Sequence, residues 1–174
     1  MAGLPYEKLA AIRKMFGLAR IGTEFTGIMD EGTIYRLPNP PRSRPKYGYV
    51  TVSDNMDDAR AADIITISNI RGARDRLKKK PRRGIGLEVL IAPVRKLDGP
   101  STARWFHDLY ELYAFCQSSG QQLILSSGAE SVQEMVAGPC MDAILESCGI
   151  DTKRHWHDLN SWLDQKLMAR VATF

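Results

Sequence analysis

The chain has 174 residues, 44% of them hydrophobic and 25% charged, and a formal net charge of +4. These values are typical of a single soluble globular domain that spans residues 1–174. No apolar run approaches the roughly 18 residues of a membrane span, and charges throughout the N-terminal sequence exclude a secretory signal. We therefore expect no membrane partner.

Extended and helical patterns alternate along the chain. The extended patterns predict strands at residues 18–26, 33–37, 47–53, 63–68, 85–92 and 121–126. A turn at 29–32 and a Pro-rich loop with Arg42, Arg44 and Lys46 separate the first of these strands. The helical patterns cover residues 4–16, 55–61, 69–80, 101–119, 139–148 and 152–168. Gly120 is a typical C-cap for the longest clear helix, and another helix is expected to open with the capping-box pair Ser131 and Glu134.

Strands that are repeatedly followed by helices indicate an α/β fold with a mainly parallel sheet. A complete (β/α)8 barrel usually needs about 250 residues, and this chain is much shorter. The sequence therefore predicts an incomplete or reduced TIM-like barrel, without an internal repeat or a second domain.

Cysteine usage indicates the redox setting. Three cysteines, an odd number, in a chain without a secretion signal predict reduced thiols in the cytoplasm or nucleus. Cys116, Cys140 and Cys148 all lie in apolar helical patterns, so we expect all three side chains to be buried.

Positive charge is concentrated in one segment, residues 71–83, which holds eight basic residues and one acidic residue, Asp75. The basic residues are Arg71, Arg74, Arg76, Lys78, Lys79, Lys80, Arg82 and Arg83. Because the rest of the chain is net negative, this is a local feature that would attract polyanions, above all a phosphate backbone. The alternative is a solvated helix end followed by a Lys-rich loop.

The C-terminal ends of parallel strands are where such folds bind ligands. Asp54 is the only carboxylate at these ends, since Glu24 and Glu88 lie inside their predicted strands. His155 and His157 fall in a helical pattern, where residues two apart point about 200° away from each other. They are interpreted as polar flanks of a buried Trp156, so neither pattern supports a hydrolytic metal centre.

The turn Ser126-Ser127-Gly128-Ala129 follows an apolar strand and could hold a phosphate oxygen with its hydroxyls and backbone N–H groups. The alternative is a tight strand-to-helix turn in which Gly128 adopts a positive φ. The sequence leaves both readings open.

Residues 84–150 resemble the ribonuclease P protein component 3 family, called the 30-kDa subunit in eukaryotes. The resemblance depends on the strand GLEVLIAPVR (86–95), the helix 101–119, the run QQLILSSGAES (121–131), the pair Pro139 and Asp142, and the ending ILESCGID (144–151). It implies an incomplete TIM-like barrel that supports an RNA enzyme without carrying out catalysis itself.

The resemblance further implies three partners: the ribonuclease P RNA, precursor tRNA indirectly, and a small ferredoxin-like protein subunit. The protein itself would bind no cofactor, because the RNA carries the active site with Mg²⁺ and removes the 5′ leader of precursor tRNA. The expected RNA-binding residues are Arg71, Arg74, Arg76, Lys78, Lys79, Lys80, Arg82, Arg83, Arg95, Ser126 and Ser127. Two alternatives are a TIM-like metal-dependent phosphoesterase and a basic protein-interaction module.

Overall fold

A computed structural model describes residues 6–24, 33–38, 49–79 and 83–171. Within these ranges the strands are β1 (Ile21–Glu24), β2 (Thr33–Pro38), β3 (Tyr49–Ser53), β4 (Ile64–Ile67), β5 (Gly86–Leu90) and β6 (Gln122–Ser126). They form one sheet in which all neighbours are parallel and the spatial order equals the order in the chain. The sheet curls into a half-barrel, which confirms the predicted α/β fold with an incomplete TIM-like barrel.

The α-helices in the same ranges are α1 (Tyr6–Phe16), α2 (Ile70–Lys79), α3 (Gly99–Ser119), α4 (Gly138–Ser147) and α5 (Thr152–Val171). Short 3₁₀ helices lie at Met56–Arg60, Ala92–Lys96 and Val132–Glu134. The ends of α3 follow from its sequence: Asp98 accepts a hydrogen bond from the Ser101 backbone N–H, and Gly120 ends the helix at φ 71°. No helix in the described residues is long and apolar enough to cross a membrane.

The outer face of the sheet packs against α2, α3 and α4. Ile65, Leu87 and Leu123 point to this face and are fully buried in one cluster with Leu112 of α3 and Leu145 of α4. Successive side chains of a strand point to opposite faces, so the residues between them line the concave face.

Helix α5 packs against the concave face, where a closed barrel would have its interior. Leu159 and Leu163 form a buried cluster there with Val50, Ile64 and Ile124. The spacing of the two leucines along the chain predicts this apolar stripe, and the structure adds that it covers the inside of the half-barrel.

Helix α1 links the first strand to the segment that follows the last strand. Leu9 and Ile12 of α1 are buried with Ile21 of β1, and the partly buried Val132 and Met135 pack on the same cluster. The backbones of two glycines meet in this region as well.

The close approach is between Gly17, just after α1, and Gly138, the first residue of α4. A Cβ atom built at Gly138 would lie 3.0 Å from the carbonyl oxygen of Gly17. A side chain at position 138 would therefore force the Gly17 backbone to move by a few tenths of an ångström.

The predicted capping box is wrong. Val132–Glu134 is a single 3₁₀ turn, and Ser131 makes no side-chain capping hydrogen bond. The Glu134 carboxylate instead accepts a hydrogen bond from the Glu130 backbone N–H at 2.9 Å. The local Ser-x-x-Glu spacing is present, but the Glu130 amide takes the carboxylate that a capping box would use.

Two burial predictions are also wrong. Cys140 is exposed in the first turn of α4, whereas Cys116 and Cys148 are buried as expected. His155 is 1% exposed, so it is a core residue, while Trp156 is only partly buried. In each case helical periodicity identified the helix but not the side that the neighbouring helices cover.

Some predictions fall outside the described residues. They are the turn at 29–32, the Pro-rich loop with Arg42, Arg44 and Lys46, and the basic residues Lys80 and Arg82.

Candidate functional site

The predicted RNA-binding residues are divided between the two edges of the sheet. Helix α2 begins after the C-terminal end of β4 and ends before the N-terminal end of β5. Its first basic residue, Arg71, therefore lies towards the C-terminal edge, and Lys78 and Lys79 lie at the N-terminal edge. Ser126 ends β6 at the C-terminal edge and Ser127 follows it, so the structure does not bring the serines and the lysines together.

The arginines of α2 form ion pairs with acidic residues of neighbouring elements. The Arg71 Nε is 2.7 Å from Asp108 Oδ1, and the Arg74 Nη1 is 2.9 Å from Glu111 Oε2; both acidic residues belong to α3. These pairs connect α2 to α3 on the outer surface. They also offset part of the positive charge that the sequence concentrates in this segment.

Arg76 is paired in a different direction. Its Nη2 lies 2.8 Å from Asp57 Oδ1 in the 3₁₀ helix Met56–Arg60. Both side chains are more than half exposed, so the pair adds little to stability, but it still places a negative charge beside the guanidinium.

The unpaired positive charges of the segment lie at its C-terminal end. Lys78, Lys79 and Arg83 are exposed, and none has an acidic partner among the residues that the structure describes. All three flank the connection from α2 to the N-terminal end of β5. The positive surface within the described residues is therefore smaller than the sequence suggests, and it lies at the N-terminal edge of the sheet.

Arg95 lies on the opposite edge, in the 3₁₀ helix after β5. Its Nη2 donates a hydrogen bond to the backbone oxygen of Glu134 at 2.6 Å, although the side chain remains exposed. Arg95 thus connects two loops at the C-terminal edge.

The Ser126-Ser127-Gly128-Ala129 turn is fixed by one hydrogen bond to β5, one within the turn and the conformation of its glycine. The Ser126 hydroxyl donates to Glu88 at 2.6 Å, and the Ser127 hydroxyl accepts from the Ala129 backbone N–H at 3.4 Å. Gly128 has φ 65°, and a Cβ there would lie 3.1 Å from Leu90 Cβ. The glycine is therefore needed both for its conformation and for its close packing on β5.

A cavity of about 730 Å³ lies in the concave face. Its polar centre is Glu88, which is fully buried and accepts hydrogen bonds from three side chains. Arg36 Nη1 and Nη2 bind one carboxylate oxygen each, the second at 2.7 Å. Thr66 and Ser126 each donate a hydroxyl at 2.6 Å.

Opposing effects set the protonation state of Glu88. Burial alone raises the pKa of this carboxyl. The hydrogen bonds from Arg36, Ser126 and Thr66 and the positive charge of Arg36 together outweigh burial and hold the pKa below its ordinary value. Glu88 is therefore ionised at neutral pH and neutralised by Arg36. An ionised, fully hydrogen-bonded carboxylate of this kind positions its neighbours and has no proton to give as an acid.

Glu88 can be recognised in the sequence, although it lies inside a predicted strand and not at the end of one. A single charged residue inside the apolar run Gly86–Ala92 is incompatible with plain core packing, because a buried carboxylate needs a partner. That signal identifies Glu88, although it does not identify Arg36 as the partner.

The histidines do not form a ligand pair. His155 is buried and His157 is exposed, on different sides of α5. Within the described residues there is no group of three or more His, Cys, Asp or Glu side chains that could hold a metal ion.

No protein-family model matches the chain, and a search of curated proteins finds none with significant sequence similarity.

Proposed function

We propose that this chain is a non-catalytic, RNA-binding protein subunit of ribonuclease P. The proposal rests on the resemblance of residues 84–150 to component 3 of that enzyme and on its agreement with the half-barrel fold. The observation that carries the RNA-binding part is the group of cations Lys78, Lys79 and Arg83 at the N-terminal edge of the sheet, which have no acidic partner in the described part of the chain.

The chemistry of this edge suits a phosphate backbone. Lysine ammonium groups are compact point charges on flexible stems, and they bind phosphates without reading base sequence. This edge is exposed at Lys78, Lys79 and Arg83, none of which lines the concave cavity. A broad backbone contact fits it better than a small substrate does.

In this proposal the RNA supplies catalysis with its Mg²⁺, and the protein stabilises the folded RNA. The ion-paired face of α2 and α3, which includes Arg71 and Arg74, is then available for a protein neighbour such as the small ferredoxin-like subunit. Exposed, paired side chains of both signs are suited to a polar protein interface.

Reconstitution of precursor-tRNA cleavage tests the proposal. Ribonuclease P RNA from the same organism is combined with the remaining protein subunits, with and without this chain, at limiting Mg²⁺. We expect the chain to increase the rate of 5′-leader removal, and a Lys78→Ala/Lys79→Ala variant to increase it less. An unchanged rate on adding the chain would refute the assignment to ribonuclease P.

A pull-down separates RNA binding from a purely protein partner. If partners captured by the chain are lost after nuclease treatment, RNA holds them. Partners that remain bound after complete RNA digestion would instead favour the protein-interaction alternative.

A further inference from the structure

The polar wall of the concave cavity presents hydrogen-bond acceptors. Thr66 and Ser126 both donate their hydroxyl protons to Glu88, so the oxygen lone pairs of both hydroxyls remain to accept from a ligand. The Glu88 carboxylate itself is saturated by its four hydrogen bonds. A ligand beside Thr66 and Ser126 therefore meets acceptors, and it is favoured there if it brings N–H donors.

A second carboxylate, Asp142 of α4, also lines the cavity. Its Oδ1 accepts a hydrogen bond from the Trp156 indole Nε1 at 2.6 Å, and it has no cationic partner among the described residues. The second oxygen makes no hydrogen bond in the described part of the chain. Asp142 is thus a half-buried negative charge without a counter-ion.

The positive groups of the cavity wall do not neutralise Asp142. Arg36 is bound to Glu88, and the Arg20 Nη2 is 2.7 Å from Asp164, while the Arg20 Nη1 is shielded from solvent. These two arginines each already have a carboxylate of their own.

The buried imidazole of His155 also faces Asp142 and Asp158. Burial lowers the pKa of His155 to about 4, although the two carboxylates act to raise it. The ring is consequently neutral at pH 7 and leaves the charge of Asp142 in place.

The rest of the cavity is apolar and includes an aromatic ring. Trp156 lines it, together with Ile124, Leu159 and Leu163. An aromatic ring beside an uncompensated carboxylate is an arrangement that attracts organic cations, and the apolar residues accommodate a hydrocarbon chain. A metal cation would need several oxygen ligands. The described residues contain no group of three or more His, Cys, Asp or Glu side chains that could hold one.

We propose that the concave cavity binds an organic ammonium group, with Asp142 as its counter-ion and the Thr66 and Ser126 hydroxyls as further acceptors. The same chemistry is carried by a free alkylamine and by the lysine side chain of a partner protein. The site lies on the concave face and not at the cationic edge formed by Lys78 and Lys79. It is therefore independent of RNA binding.

Calorimetric titration of the full chain at low ionic strength tests the proposal with four probes. n-Butylammonium represents a free amine, and Nα-acetyl-lysine methylamide represents a partner's lysine. n-Butanol keeps the hydrocarbon without the charge, and inorganic phosphate tests the opposite charge. We expect saturable binding of at least one ammonium probe and none of n-butanol or phosphate.

The two ammonium probes distinguish the sources. Tighter binding of n-butylammonium assigns the site to a small amine, and tighter binding of the lysine derivative assigns it to a protein side chain. Failure of both to saturate, or phosphate binding more tightly than either, overturns the proposal.

Asp142→Asn is the decisive variant, because the asparagine oxygen can still accept the Trp156 hydrogen bond while the charge is removed. We expect it to weaken ammonium binding about tenfold. Asp158→Asn, on α5 and paired with Arg154, is the matched control and should bind as the wild type does. If the Asp142→Asn variant binds the ammonium probe as tightly as the wild type does, Asp142 is not part of the site.

A measurement on the wild-type protein keeps the test independent of variant folding. The indole N–H resonance of Trp156 should shift on titration with the bound ammonium probe, because its hydrogen-bond acceptor is the proposed counter-ion. The indole resonance of Trp105, on α3 and outside the cavity lining, should not move. A uniform shift of both resonances would contradict a local site.

Discussion

Arg36 of β2 and Glu88 of β5 form a two-pronged ion pair across two intervening strands. Three strand steps at about 4.8 Å each would separate β2 and β5 by about 14 Å in a flat sheet. The curvature of the half-barrel brings the side chains together on its concave face. The pair thus couples the tertiary shape of the sheet to one buried carboxylate.

Removing the charge of Glu88 should destabilise the protein strongly. In Glu88→Gln the size is kept, but Arg36 loses its counter-charge and the hydroxyls of Thr66 and Ser126 lose a charged acceptor. Breaking a buried pair from one side costs about 3 kcal/mol of the free energy of unfolding. Urea unfolding monitored by circular dichroism measures the loss.

The surface pair Arg71–Asp108 provides the control for Glu88. Asp108→Asn should lower the free energy of unfolding by less than about 1 kcal/mol, because the Arg71 side chain is 55% exposed and screened by solvent. Similar losses in Glu88→Gln and Asp108→Asn would mean that the Arg36–Glu88 pair has no special weight.

Stability should fall between pH 6.5 and pH 4 because of His155. Its pKa is 6.5 in the unfolded chain and about 4 in the folded protein, so the unfolded chain takes up a proton first as the pH falls. The contribution of the neutral ring is complete above pH 6.5 and declines below it. Glu88 acts at lower pH. Its pKa in the folded protein lies below the ordinary value of 4.5, so the ionised carboxylate stabilises the fold above pH 4.5, and this contribution is lost as the pH falls further.

Urea midpoints measured from pH 7 to pH 4.5 test the His155 effect. We expect the free energy of unfolding to decline less in His155→Phe than in the wild type as the pH falls. The difference should reach up to about 3 kcal/mol at the acid end. His157→Gln changes an exposed histidine two residues away and should keep the wild-type slope. Parallel slopes in all three proteins would show that His155 does not sense pH.

Gly138→Ala should destabilise the junction of α1 and α4. The new Cβ would lie 3.0 Å from the Gly17 carbonyl oxygen and 3.4 Å from that of Phe16, so backbone atoms and not a flexible side chain would have to move. Overpacking of this kind costs about 1–3 kcal/mol, measurable as a lower thermal midpoint. Gly99→Ala, at the start of α3, meets no atom within 4 Å and should be neutral.

Lysines and arginines of the basic segment should differ in RNA binding. Lys78→Ala/Lys79→Ala should reduce the slope of log K against log salt by up to about two, since each free ammonium can neutralise one phosphate. Arg71→Ala/Arg74→Ala should reduce it less, because Asp108 and Glu111 already offset these guanidinium groups. Filter binding over a salt series with ribonuclease P RNA gives the slopes, and equal changes would mean that RNA displaces the ion pairs.

Only one thiol should react in the native protein. Cys140 is exposed, whereas burial raises the pKa of Cys116 to about 12 and that of Cys148 to about 11. Titration with a chromogenic disulfide at pH 7.5 should therefore release one equivalent before unfolding and three after it. Cys140→Ser should remove the native reaction; rapid modification of the remaining two thiols would contradict the burial of both.

Much of the fold follows from local patterns. The apolar strands around Ile65, Leu87 and Leu123 and the periodic helix α3 are apparent because burial demands runs and repeats that a short window contains. The parallel pairing of β4, β5 and β6 also follows, because α2 and α3 connect these strands and a strand followed by a helix returns to the sheet in the same direction.

The candidate site could be predicted only in part, because its partners are distant in sequence. Arg36 lies 52 residues before Glu88, and Asp108 lies 37 residues after Arg71. A run of basic residues looks uniformly positive until tertiary packing supplies the acidic neighbours. The division between the paired Arg71, Arg74 and Arg76 and the described cations without an acidic partner is therefore a property of the fold and not of the segment.

The position of α5 on the concave face has a consequence for synthesis on the ribosome. All six strands of the described sheet precede Thr152, so the whole sheet can be translated before α5, the helix that covers its concave face. A nascent chain at that stage exposes Val50, Ile64 and Ile124, which α5 later buries. Such a surface is prone to aggregation and is a natural binding site for chaperones until α5 has been translated and covers it.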